Sequence, residues 1–158
     1  MNSKSEFYQS LTQQLRELIR GENDLIANLA NICALIQSQL QHHWLGFYRA
    51  EGETLILGPF QGPVACTQIP FGKGVCGTAA STQKTICVPN VHTFPGHIAC
   101  SSLSNSEIVV PLIANQKTQL VLDVDSLHFN QFDHEDQVFF EGVVTLIKNH
   151  HFAITNSL

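Results

Sequence analysis

Apolar residues recur at helical spacing twice near the start of the chain. Leu11, Leu15, Leu18 and Ile19 follow Phe7 on one stripe, and Gly21 supplies a stop. Asp24 can cap a second helix, whose stripe of Leu25, Leu29, Ile32, Ile36 and Leu40 runs up to about His42 and His43. The period then falls to two. Trp44 to Tyr48 and Thr54 to Leu57 read as the strands of a hairpin turning at Glu51 and Gly52, and a third strand is predicted from Val64 to Ile69, ended by Pro70. Gly72, Gly74 and Gly77 surround an apolar segment, Val75 to Ala80, that predicts the start of a short helix. Strand character returns from Thr85 to Val88.

Pro89 to Asn105 has no periodicity, and so long an irregular segment inside one domain marks a functional loop. Two β-branched runs follow, Glu107 to Ile113 and Gln119 to Val124, and predict another hairpin. Asp133, Glu135 and Asp136 then open a last helix, favoured at the positive end of its dipole, with Val138, Phe139, Val143, Leu146 and Ile147 as its apolar face. This order predicts an α+β domain, a mostly antiparallel sheet flanked by N- and C-terminal helices.

A chain of 158 residues, 44% hydrophobic and 13% charged, suits one folded domain. We expect a single unit over 1–158, with an N-terminal helix at 1–20 and the core at 21–155. The net charge of -5, without any run of like charge, argues against a nucleic-acid or acidic-membrane partner. The first residues lack the apolar stretch of about 7–15 residues of a signal peptide. No apolar stretch approaches the roughly 20 residues that cross a bilayer. A soluble, cytoplasmic protein is the expectation.

The five cysteines need separate readings. Cys33 lies beside the second helical stripe and reads as a small buried apolar residue. Cys66, Cys76, Cys87 and Cys100 are 10, 11 and 13 residues apart, unlike the close pairs of a structural zinc site; only His97 and Cys100 have ligand-like local spacing. Thiol redox chemistry fits better, because Cys100 sits in the long loop between His97 and two serines, a polar setting of the kind that reactive cysteines occupy.

Glu107, Asp123 and Asp125 interrupt otherwise apolar strands. Two residues apart in a strand, Asp123 and Asp125 project from one face. They could belong to a solvated face or edge. Alternatively, carboxyls gathered at a pocket would raise one another's pKa and hold a cationic ligand or a proton. Trp44 and Tyr48 likewise share a face, as core residues or as the wall of a small-molecule site.

These residues stand within motifs that occur in a specific order. Gly-Pro-Phe-Gln-Gly at 58–62, Ile-Pro-Phe-Gly-Lys-Gly-Val-Cys-Gly at 69–77 and Pro-Gly-His-Ile-Ala-Cys at 95–100 come first. Ser-Glu-Ile-Val-Val-Pro at 106–111 and Leu-Asp-Val-Asp-Ser at 122–126 complete the set. Together they resemble the free methionine-(R)-sulfoxide reductases, built on a GAF-type domain, over about residues 21–140. The resemblance implies that Cys100 is the catalytic thiol, Cys66 the main resolving cysteine and Cys76 an accessory one, with Cys87 left structural. It also implies that Glu107, Asp123 and Asp125 form the acidic side of a pocket and Trp44 and Tyr48 its aromatic wall. Free methionine-(R)-sulfoxide would be the substrate and thioredoxin the reductant of a homodimer. Ser101 departs from the acidic residue that the family usually carries after the catalytic cysteine, and Leu120 and Leu127 stand where it commonly has Gly and Pro.

The chemistry suits the residue types. A thiolate attacks the sulfoxide sulfur while a nearby acid protonates the departing oxygen, leaving a sulfenic acid that a second thiol condenses with to form a disulfide. Neither a metal nor an organic cofactor is needed. Among the carboxyls, Glu107 is read as the proton donor and Asp125 as the partner of the α-ammonium, with Asp123 shared. The competing reading is a non-catalytic GAF-type sensor domain for a small ligand, which gives no reason for three cysteines around the pocket loops.

Overall fold

Helices α1 (Lys4–Ile19) and α2 (Leu25–Leu40) open the computed structural model, which describes residues 3–98 and 100–153. Ala99 of the 95–100 motif and positions 154 and 155 of the expected core lie outside the described residues. Ser3 and Glu6 form a reciprocal capping box at the start of α1, and the Asp24 carboxylate accepts the Ala27 N–H at the start of α2. The α1 stripe buries Leu11, Leu15 and Ile19, whereas Leu18 sits at the edge of that face and is partly exposed. Cys33 is fully buried, as a small apolar residue would be.

Six strands follow: β1 (Trp44–Glu51), β2 (Thr54–Gln61), β3 (Gln68–Pro70), β4 (Ile86–Val88), β5 (Ser106–Ala114) and β6 (Lys117–Ser126). They form one sheet in the order β3-β2-β1-β6-β5-β4, antiparallel throughout. The α+β expectation holds. Helix α3 (Gly74–Thr82) lies between β3 and β4, a short 3-10 turn (Val91–Thr93) interrupts the long loop, and α4 (His134–His151) closes the domain.

Alternation along the strands gives the sheet two apolar faces. Leu45, Phe47, Ile108, Val110, Leu122 and Val124 pack under α1, α2 and α4, forming the main core. Trp44, Tyr48, Val109 and Val121 point the other way, towards α3 and the loops, where a smaller core forms with Leu55, Ile69, Val75 and Ala79. Sheets covered on both faces carry near-continuous apolar runs, as β5 and β6 do. The acidic interruptions in those runs all fall on the second face.

Two sequence expectations are corrected. The third strand starts at Gln68 rather than Val64, which is 89% exposed in an irregular segment. The register of β3 with β2 covers only Thr54–Ile56, beyond which a single bond, from Leu57 N–H to Thr67 O at 3.0 Å, extends the pairing. On α4, Val138 faces outward at 54% exposure, and Phe140 and Val144 join Phe139, Val143 and Ile147 in the buried stripe. Asp133 and Asp136 form the capping box of α4, and Asp136 also accepts from the Tyr8 hydroxyl and pairs with Lys4 at 2.7 Å, fastening α1 to α4.

Candidate active site

The strand register places the acidic residues. Trp44 of β1 pairs with Asp125 of β6, and Asp125 pairs in turn with Glu107 of β5, forming one row across three strands. One step along, Asp123 lies between Gly46 and Val109. Because all these positions share a parity, Trp44, Tyr48, Asp123, Asp125 and Glu107 rise from the same face. Gly46 is required there. A Cβ at this position would collide with Phe60 and stand 2.7 Å from Trp44 Cη2, so its absence leaves room for the indole.

Phe60 reaches the same wall through a bulge. Gly46 pairs with Phe60 but Tyr48 pairs with Leu57, so Gly58 and Pro59 together oppose Phe47. The extra residue shifts the parity of β2: Leu55 and Leu57 face the second core, and beyond the bulge Phe60 does so instead of Pro59. Trp44 stacks on Phe60 at 5.2 Å between centroids and on Tyr48 at 5.9 Å. The indole N–H donates to Pro63 O at 3.1 Å and the Tyr48 hydroxyl to Cys66 O at 3.0 Å. Both bonds hold the segment carrying Cys66 against the wall.

Cys66 and Cys100 are joined in a disulfide with Cα atoms 5.5 Å apart, linking the β2–β3 segment to the long loop. Cys33, Cys76 and Cys87 are free, and only Cys87 among them is exposed, on edge strand β4. Cys76 stands in the first turn of α3, 4% exposed, with its Sγ 3.8 Å from Glu107 Oε1. Gly77 beside it must lack a side chain, since a Cβ there would collide with the Pro70 carbonyl oxygen. Across from Cys76, His97 Nε2 is 3.9 Å from Glu107 Oε2. His43 Nε2 and Ser101 Oγ, 3.0 Å apart, tie the loop after Cys100 to the start of β1.

These groups enclose a cavity of about 40 Å³, room for about three waters. Trp44, Tyr48, Cys76, Cys100, Glu107, Asp123 and Asp125 line it, and Cys66 is bonded to one of them. All eight candidate residues therefore meet at one place. Cys87 does not line the cavity.

The carboxyls are held above their ordinary range. Burial raises Glu107 well up, helped by the charges of Asp123 and Asp125, and raises Asp123 to about 6. Asp125 keeps some exposure, yet desolvation and then Asp123 raise it too. Desolvation followed by the two nearest carboxyls pushes the Cys76 thiol up, so it is an S–H donor towards Glu107. Burial lowers His97, so its imidazole tends to be neutral. Asp123 Oδ1 and Ser104 Oγ are buried without a hydrogen-bond partner among the described residues. The pocket is thus a proton-holding, cation-seeking cluster beneath a disulfide. Cys76, Glu107 and Asp123 offer atoms within 4.8 Å of one another that could also hold a metal ion.

Sequence reasoning passed over Gly46, Phe60 and Ser104. The signal for the first two was the Gly58-Pro59 pair inside a strand, a bulge mark whose parity change determines where Phe60 points. Ser104 gave no signal beyond its place in the loop.

Residues 20–149 match the GAF domain family. GAF domain-containing protein A of Dictyostelium discoideum is 51% identical over 148 residues, 93% of this chain and 94% of that protein. The free methionine-R-sulfoxide reductase of Escherichia coli K12 is 47% identical over 136 residues, 85% of this chain and 82% of that one. The X-ray structure of free methionine-R-sulfoxide reductase from Neisseria meningitidis in complex with its substrate superposes with a TM-score of 0.92 at 41% identity, covering 95% of this chain and 91% of that one.

Proposed function

The chain belongs to the GAF domain family, and from that membership we propose that it is an oxidoreductase that reduces free L-methionine-(R)-sulfoxide to methionine. One observation carries the reading: a disulfide between Cys66 and Cys100 stands over the carboxyls of Glu107, Asp123 and Asp125 and an aromatic wall. A pair of thiols at the pocket supplies the two electrons that reduction of a sulfoxide consumes, whereas binding a small ligand requires none.

In the proposed cycle the Cys100 thiolate attacks the sulfoxide sulfur and takes up its oxygen. The cysteine sulfur loses two electrons and becomes a sulfenic acid, the substrate sulfur gains them, and methionine leaves. Glu107, protonated because of its surroundings, supplies the proton to the sulfoxide oxygen. The Cys66 thiol then attacks the sulfenic sulfur, water departs, and the disulfide described above results. An external dithiol, thioredoxin in our reading, reduces it for the next turnover. Cys76 serves as an accessory thiol behind Glu107.

Asp125 and Asp123 are assigned to the α-ammonium of the substrate, and Trp44, Tyr48 and Phe60 to its side chain. A methionine within a peptide has no such ammonium and would leave a buried carboxylate unpaired, which favours the free amino acid. No step requires a metal or organic cofactor. The test is a thioredoxin assay coupled to NADPH oxidation, run with the R and S epimers of free methionine sulfoxide. Turnover restricted to the R epimer supports the reading; no turnover with either epimer overturns it and leaves a ligand-binding domain.

A further inference from the structure

The proposed cycle uses Cys76 only as an accessory thiol, yet it is placed more closely against the carboxyls than that role needs. Its Sγ and one oxygen each from Glu107 and Asp123 lie mutually within 4.8 Å, all three residues are buried, and Asp123 Oδ1 has no partner among the described residues. A buried, orphaned carboxylate oxygen in a cavity with room for a few waters indicates a missing ligand.

We propose that Cys76, Glu107 and Asp123 form a binding site for a zinc-class divalent cation, which blocks the pocket while it is bound. The fit is metrical. Zinc binds sulfur at about 2.3 Å and carboxylate oxygen at about 2.1 Å, which at a tetrahedral angle spans a sulfur–oxygen edge of about 3.6 Å. Cys76 Sγ and Glu107 Oε1 stand 3.8 Å apart. The donor set is one sulfur and two carboxylate oxygens, with the His97 imidazole on the far side of Glu107. A thiolate with carboxylates suits zinc or cobalt, whereas magnesium and calcium call for oxygen donors alone.

The site does not depend on the catalytic thiols. Cys66 and Cys100 are consumed in the disulfide, and Cys76 remains a free thiol beneath it. Binding is therefore a property of the oxidised protein as well as the reduced one. The blocking half of the proposal rests on the functional reading above, because a cation on Asp123 and Glu107 occupies the carboxyls assigned to the substrate's ammonium and proton.

The experiment titrates the metal-stripped, disulfide-closed full chain with Co2+, whose thiolate charge-transfer absorption reports a sulfur ligand directly. One equivalent should bind with that absorption, and Zn2+ but not Mg2+ should displace it. Cys76→Ser and Cys76→Ala should abolish the band, Asp123→Asn should weaken binding at least tenfold, and Cys87→Ser should leave the titration unchanged. Two Cys76 variants, checked by circular dichroism, guard against loss through misfolding. No band in wild type, a band that survives in either folded Cys76 variant, or displacement by Mg2+ overturns the proposal. In a parallel thioredoxin-driven assay, free of chelating dithiols, Zn2+ should raise the KM for the sulfoxide and leave kcat unchanged. A cobalt band in a protein without reductase activity supports the metal site and refutes the functional reading, whereas activity without the band refutes the metal site alone.

Discussion

Glu107 and Asp125 are directly paired residues of β5 and β6 and rise from the same face of the sheet. Like charges so placed repel, and Asp123 lies one row away on the same face. Three carboxyls this close in a largely desolvated cavity cannot all ionise cheaply, so their protons come off as a coupled set. One member can stay protonated at neutral pH while another is ionised, and a reductase of a zwitterionic sulfoxide needs both.

The raised carboxyls make the pocket a source of instability as pH rises. For Asp123 the folded-state pKa of about 6 lies above the ordinary 3.8, so the folded protein binds more protons than the unfolded one between these values. Stability contributed by the protonated acid is complete below about pH 4 and is lost as pH climbs through about 6. Asp123→Asn should therefore be nearly neutral at pH 4 and stabilising by on the order of 1–3 kcal/mol at pH 7. In a domain of this size that raises Tm by roughly 2–4 °C per kcal/mol. Melting curves at the two pH values check it; a variant that melts below wild type at pH 7 would refute the account.

The division of labour among the carboxyls can be separated kinetically. Glu107→Gln should lower kcat, since the proton for the oxygen is lost, and Asp125→Asn should chiefly raise KM, since the ammonium loses its partner. Each charge-assisted contact is worth on the order of 1.5–3 kcal/mol, or roughly 10- to 150-fold. N-acetyl methionine-(R)-sulfoxide lacks the ammonium and should be a poor substrate for wild type, but should suffer no further loss in Asp125→Asn. Equal use of both substrates by wild type would show that the acids do not read the charge.

The thiols divide differently. Cys100→Ser should abolish reduction even with a small dithiol, because the attacking sulfur is gone. Cys66→Ser should still release about one methionine per chain in a single turnover and then turn over poorly with thioredoxin. Mass spectrometry of the peroxide-free, substrate-oxidised wild type should recover the Cys66–Cys100 linkage. Near-wild-type steady-state activity in the Cys66 variant would place the resolving step elsewhere.

The helices and the central hairpins were legible in the chain because their signals are local. Asp24 and Asp133 as caps, period-two alternation in β1 and the runs of β5 and β6 each describe a stretch of backbone without reference to distant parts. Parity alone also put Asp123 and Asp125 on one face. Less could be read where tertiary pairing overrides local preference. Val64 to Thr67 look like strand but find no partner over most of their length, and Val138 has the right type but the wrong angle on α4. That Glu107 lies opposite Asp125, or that Cys66 meets Cys100 across 34 residues, depends on register and loop closure, which spacing along the chain does not encode.

Gly46 tests whether the aromatic wall is set by backbone clearance. It lies opposite Asp123 on β6 and Phe60 on β2, and an added methyl would meet the Phe60 Cβ and press on the indole from 2.7 Å. Neither Phe60's backbone, held in the β1–β2 ladder, nor Trp44, stacked on Tyr48 and Phe60 and hydrogen-bonded to Pro63 O, can move freely. Overpacking of this kind costs about 1–3 kcal/mol. Gly46→Ala should therefore lower Tm by several degrees and tilt the indole off its stacking partners. Trp44 is the one tryptophan of the chain, so its intrinsic fluorescence reads this displacement without interference. A shifted emission maximum together with a raised KM for the sulfoxide, and a kcat reduced less than KM is raised, is the expected outcome. Unchanged emission with wild-type kinetics would mean that the wall tolerates the methyl and that Gly46 is not what makes room for Trp44.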